Sequence, residues 1–371
     1  MMNIKSFTVV ALLTASITFV SSKLSLPDVT GKFKVGTVNI QLIDHTRVDP
    51  YASDLQKRAL MVQLFYPTKR ANCYPISPYM PELTGQLMNQ LYGLPNGTLQ
   101  AFQTQAHIGA PIAQSNSPIV LFSPGAGMSR YLYTSLLTDI ASRGYLVVAI
   151  DHPYDAQVVE FPDGKLIKKA AGMTWTTQQI TEAEGVRAQD VSFILDQLNT
   201  LKIRNQIPAL RTKLNVRRVV MFGHSLGGAT AAAAMLNDTR IIAGANLDGS
   251  FWGPVTDRGL DRPFLIMGLT QHNRGNDASW AKIWPNLRSW RLQLKLANSG
   301  HLTYSDMPIM ANLLNMTNPE LESTIGTING LRSLVIQRTY ISAFLERTFS
   351  HSRNPILQRP DSRFPEITFE I

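Results

Sequence analysis

Residues 219–229 read Val-Val-Met-Phe-Gly-His-Ser-Leu-Gly-Gly-Ala. Val219 to Phe222 have strand character, 223–227 spell Gly-x-Ser-x-Gly, and Ala229 opens a run of good helix formers reaching Leu236. Strand, sharp turn and helix with serine at the corner is the pattern of a nucleophile elbow. Glycine flanks Ser225 because so tight a turn has no room for a Cβ at 223 or 227, and the corner lifts the serine Oγ clear of the sheet.

Around the elbow, short and nearly continuous apolar runs lie at 119–122, 146–150, 241–247, 264–268 and 292–296. Runs of this kind belong to strands buried on both faces of a parallel sheet. Two leading strands at 35–43 and 60–66 alternate instead, and are expected to form an antiparallel edge joined by a turn near Asp49-Pro50. Helical patterns at 131–143, 175–201, 230–236, 279–287 and 331–347 fill the gaps. The alternation predicts a doubly wound, mostly parallel sheet of about eight strands with helices on both faces and a site at the carboxyl ends of the strands.

A serine nucleophile needs a base, and in this arrangement the chain order is serine, acid, histidine. His301, in the glycine-containing loop Asn298-Ser299-Gly300-His301 after the last strand, is the expected base. His272 lies in a polar loop and is read as a solvated surface residue. His45 and His107 precede the serine, His351 is in a polar tail, and His224 is expected to pack beneath the turn. Asp248 ends the strand 241–247 and is the expected acid, placed to hold the imidazole in its working tautomer. Its competitors Asp257, Asp261 and Asp277 lie in polar loops, where solvated or turn-forming aspartates are usual. The backbone N–H of Leu226 and that of Ala126, in the loop Ser123-Pro124-Gly125-Ala126-Gly127-Met128, are the expected oxyanion donors. No cluster with metal-ligand spacing is visible, and no metal or cofactor is expected.

Met1 to Ser22 carries Lys5, then an apolar stretch 7–20, then small residues, which reads as a secretory leader cleaved after about Ser22. Its apolar run is shorter than the roughly 20 residues needed to span a bilayer. The mature chain, 23–371, is expected to be an exported single domain, since no repeat or linker divides it. The net charge of +9 becomes +8 when Lys5 leaves. The basic residues are scattered without interleaved aromatics, which argues against nucleic acid, and no stable protein partner is inferred. Cys73 is the sole cysteine, so no internal disulfide can form. Sequons at Asn96, Asn237 and Asn315 are glycan acceptors only in a eukaryotic secretory route. Segments 80–102 and 305–318 are candidate lids, with leucines at 83, 87, 91 and 94 in helical spacing and a methionine-rich stretch after the His301 loop; a core-facing helix has the same spacing.

Gly-His-Ser-Leu-Gly-Gly at 223–228, Leu-Asp-Gly at 247–249, Gly-His at 300–301, Phe-Ser-Pro-Gly-Ala-Gly at 122–127 and the stretch 139–149 resemble the plasma and secreted type of platelet-activating factor acetylhydrolase. The likeness covers about 65–306. It implies an α/β-hydrolase fold and a calcium-independent esterase acting on short or oxidised sn-2 acyl chains of phospholipids; the basic charge and the candidate lids are what suggest transient lipid-surface contact. Lipases and polyester hydrolases of the same broad group are the alternative, and a non-catalytic binding module is a further one. The chain departs from the family at Pro124, where a histidine usually precedes the Gly-x-Gly; donation from backbone can survive that change, while the loop's shape and its part in substrate selection are left open by it.

Overall fold

The computed structural model describes residues 24–370; the leader read at 1–22 lies outside them. The strands are β1 (Leu24–Ser25), β2 (Lys34–Val48), β3 (Lys57–Thr68), β4 (Ile76–Pro78), β5 (Phe102–Ile108), β6 (Ile119–Ser123), β7 (Leu146–Asp151), β8 (Val158–Glu160), β9 (Leu166–Lys168), β10 (Val219–His224), β11 (Ile241–Leu247), β12 (Phe264–Leu269), β13 (Arg291–Leu296) and β14 (Ile367–Glu370). Among the described residues one sheet has 12 strands in the order β1-β5-β2-β3-β7-β6-β10-β11-β12-β13-β14, with β4 on β5. From β7 to β13 every pairing is parallel.

Two expectations are corrected here. The sheet is larger than about eight strands, because β1, β4, β5 and β14 extend it. The β2–β3 pair is antiparallel, as expected, but it is internal: β5 lies parallel to β2 on one side and β7 covers β3 on the other. β5 was hidden within and beside a candidate lid. Its sequence alternates apolar or small buried residues (Phe102, Thr104, Ala106) with glutamines and a histidine, a weak signal over seven residues.

The apolar runs behave as strands buried twice over. Val220 and Phe222 of β10 point into one core layer, Val219 and Met221 into the other, and β6 divides likewise between Val120/Phe122 and Ile119/Leu121. The first layer is closed by the helices Thr134–Ser142 and Gly330–Ser350, through Leu137, Ile140, Tyr340 and Phe344. The second is closed by Thr177–Gln197 and Leu226–Asn237, through Val191, Ile194, Ala231 and Met235. Each fully buried aliphatic side chain of these layers contributes about 1.5–3 kcal/mol relative to exposure.

Chain order then fixes where a site can form. β6 is followed by β7 on one side, while β10 returns to the other side of β6. Loops leaving the carboxyl ends of β6 and β10 therefore diverge and open a crevice between them, the usual ligand position in such sheets. The loop 123–128 and the elbow leave from those two ends. This is the α/β-hydrolase architecture. No helix among the described residues is long and apolar enough to cross a membrane.

Candidate active site

Ser225 sits between β10 and the helix Leu226–Asn237 at φ 55°, ψ −124°, a conformation that L-residues adopt only when the surroundings impose it. The glycines make this turn possible. A Cβ on Gly223 would lie 2.3 Å from the carbonyl carbon of Gly227, and one on Gly227 would lie 2.0 Å from the Ser123 oxygen. Ser225 N–H donates to Leu247 O at 2.8 Å, which ties the corner to the neighbouring strand.

The three residues expected to act together meet. His301 Nε2 lies 3.0 Å from Ser225 Oγ, and His301 Nδ1 lies 2.5 Å from Asp248 Oδ2. Asp248 is 1% exposed, whereas the His301 side chain keeps 21% of its surface, so the imidazole faces the crevice and the carboxylate backs it from inside. Beneath His301 the loop is pinned by Gly300 N–H to Thr303 Oγ1 at 2.8 Å and by Gln337 Nε2 to Thr303 O at 3.0 Å. Asp306, buried just beyond it, accepts from Ser135 N–H, at the start of the helix Thr134–Ser142, and from Tyr79 Oη, just after β4. Burial pushes the Asp306 carboxyl up to about 6.

His224 packs under the turn as expected, and its bonding fixes its tautomer. The carbonyl of His301 can only accept, so His224 Nε2 carries the proton it donates there at 2.8 Å. Nδ1 then accepts from Tyr133 Oη at 2.8 Å, and the Tyr133 oxygen accepts Gly125 N–H at 3.1 Å. Burial and the neighbouring His301 push His224 down to about 3, so it stays neutral. One chain of hydrogen bonds thus joins the oxyanion loop, the elbow and the His301 backbone.

The same loop is gripped from below by a residue that sequence reading missed. Arg187, in the middle of helix Thr177–Gln197, donates to Pro124 O at 2.6 Å and Gly125 O at 3.2 Å, and pairs with Asp155 through two 2.6 Å bonds. Asp155 in turn accepts Gly127 N–H at 3.2 Å. With the two carbonyls that precede Ala126 N and the next amide all engaged, Ala126 N–H is left without an acceptor among the described residues. Leu226 N–H, at the first position of its helix, likewise has no intrahelical partner. Ala126 and Leu226 share one apolar cluster with Met173, Trp175, Ile180 and Ala183. Arg187→Ala is expected to lower stability by about 3–5 kcal/mol, because it strands the buried Asp155; urea unfolding checks this, and a loss under about 1 kcal/mol would contradict it.

His272 is the clear correction. It is 2% exposed, not solvated, and its ring stacks on Trp280 at 4.2 Å. Its Nδ1 lies 2.8 Å from Asp248 Oδ1 and its Nε2 lies 2.8 Å from Asp277 Oδ2. The polar loop folds back beneath the end of β12 instead of projecting into water. Burial opposes charge on His272, but the bonds to Asp248 and Asp277 outweigh it and push the ring up to about 9. Burial alone would raise Asp248; the bonds from His272 and His301 hold it at about 2. Asp277 caps the helix Ala278–Ile283 and is likewise held well below the usual carboxylate range, despite its partial burial, by His272, Ser250 and Ser279. Asp257 and Asp261 are exposed and pair with Lys282 and Arg288, in keeping with their solvated reading.

The raised His272 contributes stability that is complete below its unfolded value of about 6.5 and is lost as pH rises through about 9. Asp248 contributes stability present above about 3.9 and lost as pH falls through about 2. The unfolding free-energy gap between wild type and His272→Gln is therefore expected to narrow from about pH 6 to about pH 9; a constant gap across that window would contradict it.

The apolar segments read as candidate lids face each other. The turn that follows the helix Glu82–Leu91 and the helix Met307–Leu313 with its own following turn wall a small cavity, through Tyr92, Leu94, Met307, Met310 and Leu314. Much of their apolar surface is spent on packing, with Met88, Leu99, Ile309 and Met310 buried in the main core. Leu83 and Leu313 remain exposed.

Compared with known proteins, the chain matches the family model of platelet-activating factor acetylhydrolase, isoform II, over residues 18–161 and 188–355. The chain belongs to this family of carboxylic ester hydrolases. A chlorophyllase model also matches, over residues 96–248. A probable 1-alkyl-2-acetylglycerophosphocholine esterase of Arthroderma benhamiae is 29% identical over 94% of this chain and 95% of its own. The platelet-activating factor acetylhydrolase of Cavia porcellus is 21% identical over 93% of this chain and 84% of its own. Among solved structures, a ferulic acid esterase from Streptomyces cinnamoneus superposes with a TM-score of 0.81 and 32% identity, over 94% of this chain and 99% of that one.

Proposed function

We propose that this chain is an exported serine esterase that cleaves the short sn-2 ester of phospholipids through an acyl-enzyme on Ser225. The observation that carries the reading is the continuous hydrogen-bonded chain from Ser225 Oγ through both nitrogens of His301 to the buried Asp248. The family supports ester chemistry, and the fungal relative's name supports the substrate class. Export rests on the leader-like pattern at 1–22, outside the described residues.

In the proposed cycle Asp248 accepts from His301 Nδ1–H, which leaves Nε2 as the lone-pair nitrogen facing Ser225. Ser225 Oγ bonds to the ester carbonyl carbon as its proton moves to Nε2. The carbonyl oxygen, now negative, is held by Ala126 and Leu226 N–H; each such donor is worth about 2.7–4 kcal/mol in the transition state. The carbon–oxygen bond to the alcohol breaks, Nε2 returns its proton to the departing oxygen, and water repeats the sequence to free the acid.

The ferulic acid esterase likeness favours a second reading, a carboxylesterase for aromatic acyl groups. Hydrolysis of a 2-acetyl phosphatidylcholine, a 2-long-chain phosphatidylcholine and methyl ferulate by the mature chain separates the two. Acetyl lipid turned over at least about a hundredfold faster than both others, a gap of about 2.7 kcal/mol in transition-state binding, is the expected result. Ferulate preferred over the acetyl lipid would overturn it in favour of the second reading.

A further inference from the structure

Asp248 serves two imidazoles, not one. Its Oδ2 faces His301, while its Oδ1 accepts from His272 Nδ1 and from Leu269 N–H at 3.1 Å. On its far side His272 meets Asp277, which also accepts from Ser250 Oγ, Ser279 N–H and Trp280 N–H. Both carboxylates are surrounded by donors, which favours their ionised, acceptor-only form. A ring whose two nitrogens each touch such an oxygen must carry a proton on both. His272 is then a buried imidazolium, stacked on the Trp280 face, whose indole Nε1 is anchored on Gly249 O at 2.7 Å.

Resting on the reading of Ser225, His301 and Asp248 given above, we propose that His272 is a positioning residue that holds Asp248 from its outer oxygen as a fixed cation and sets the acid limb of the activity profile. The physical reason is charge balance. Asp248, His272 and Asp277 together carry one negative charge where the two aspartates alone would carry two. A cation on the shared carboxylate opposes the arrival of further positive charge at the site, so activity persists into more acidic medium. The other groups around this chain do not compensate. His224 is neutral and bonded to the His301 carbonyl, and Tyr304 lies beside Asp248 with its phenol pushed well up by burial. The geometry also locks orientation: with Oδ1 held by His272 and Leu269, the carboxylate cannot rotate away from His301.

The test is the pH dependence of kcat/KM on p-nitrophenyl acetate, between about pH 5 and 9, for wild type, His272→Gln, Asp277→Asn and Ser225→Ala. Gln can still donate to Asp248 but cannot be charged. Asn at 277 keeps an acceptor beside Nε2 and removes one negative charge, while Asp248 still faces the ring at Nδ1. His272→Gln, which takes the charge of the three residues from −1 to −2, is expected to move the midpoint of the acid limb upward by about one pH unit, and Asp277→Asn, which takes it from −1 to 0, to move it downward, with plateau rates within about tenfold of wild type. Asp277→Asn leaves the histidine in place, so it decides the matter should His272→Gln fail to fold. Uniform loss at every pH with the limb unmoved would make His272 a packing residue only and overturn the proposal. Hydrolysis that persists in Ser225→Ala would instead overturn the nucleophile assignment on which it rests.

Discussion

Replacing Ser225 by alanine is expected to reduce kcat for ester hydrolysis by about 10⁶-fold, the scale seen when a triad nucleophile is removed, while binding and folding persist. The side chain makes one hydrogen bond, to His301 Nε2, and lies at the partly exposed corner of the elbow. Its loss should change the unfolding free energy by about 1 kcal/mol or less. The strained backbone at φ 55° is imposed by Gly223, Gly227 and the Leu247 bond, none of which depends on the hydroxyl. Rates on p-nitrophenyl acetate with parallel urea unfolding check both halves. Activity within tenfold of wild type would remove Ser225 from the chemistry.

Asp248→Asn is expected to cost both activity and stability, which separates it from the serine variant. An asparagine offers one carbonyl oxygen and one NH₂, whereas His301 Nδ1–H and His272 Nδ1–H both require acceptors. One ring must therefore either flip its tautomer or face a donor. If His301 flips, Nε2 carries the proton and cannot take one from Ser225, a change worth about 10⁴ in kcat. If His272 faces the amide, a buried cation loses a counter-charge, which costs about 3–5 kcal/mol. The expected result is a loss of about 10⁴ in kcat together with a lower unfolding midpoint. Near-wild-type activity would mean that another group holds His301.

The parallel half of the sheet was legible because strands buried on both faces leave unbroken apolar runs, and β6, β7, β10, β11, β12 and β13 all carry one. The added strands were not, since β1 and β4 span two or three residues and β5 alternates with glutamine. The elbow, Asp248 and His301 could be placed because chain order and strand ends constrain them. His272 and Arg187 could not. Thr270-Gln271-His272-Asn273-Arg274 has the polarity of a solvated turn, and nothing local announces that it closes beneath Asp248 onto Trp280. The nearest signal was Asp277-Ala278-Ser279-Trp280, a helix cap that returns the chain to the core just after the loop. Arg187 lies on a helix whose polar residues suggest an exposed face, although Glu184, Arg187 and Asp190 are all buried. Their burial becomes visible only when the oxyanion loop and β3 are laid over that helix. The loop that carries Pro124 is held by the same Arg187–Asp155 pair, through the Pro124 and Gly125 carbonyls and the Gly127 amide.

The most direct test is acyl trapping: p-nitrophenyl acetate is mixed with the mature chain, quenched within the first turnover, digested, and the peptides are weighed. A burst of nitrophenol equal to the enzyme present, with the acetyl group on the peptide carrying Ser225, is the expected outcome. Steady turnover with no burst and an unmodified Ser225 peptide, or acetyl on another residue, would contradict the assignment of Ser225 as the nucleophile.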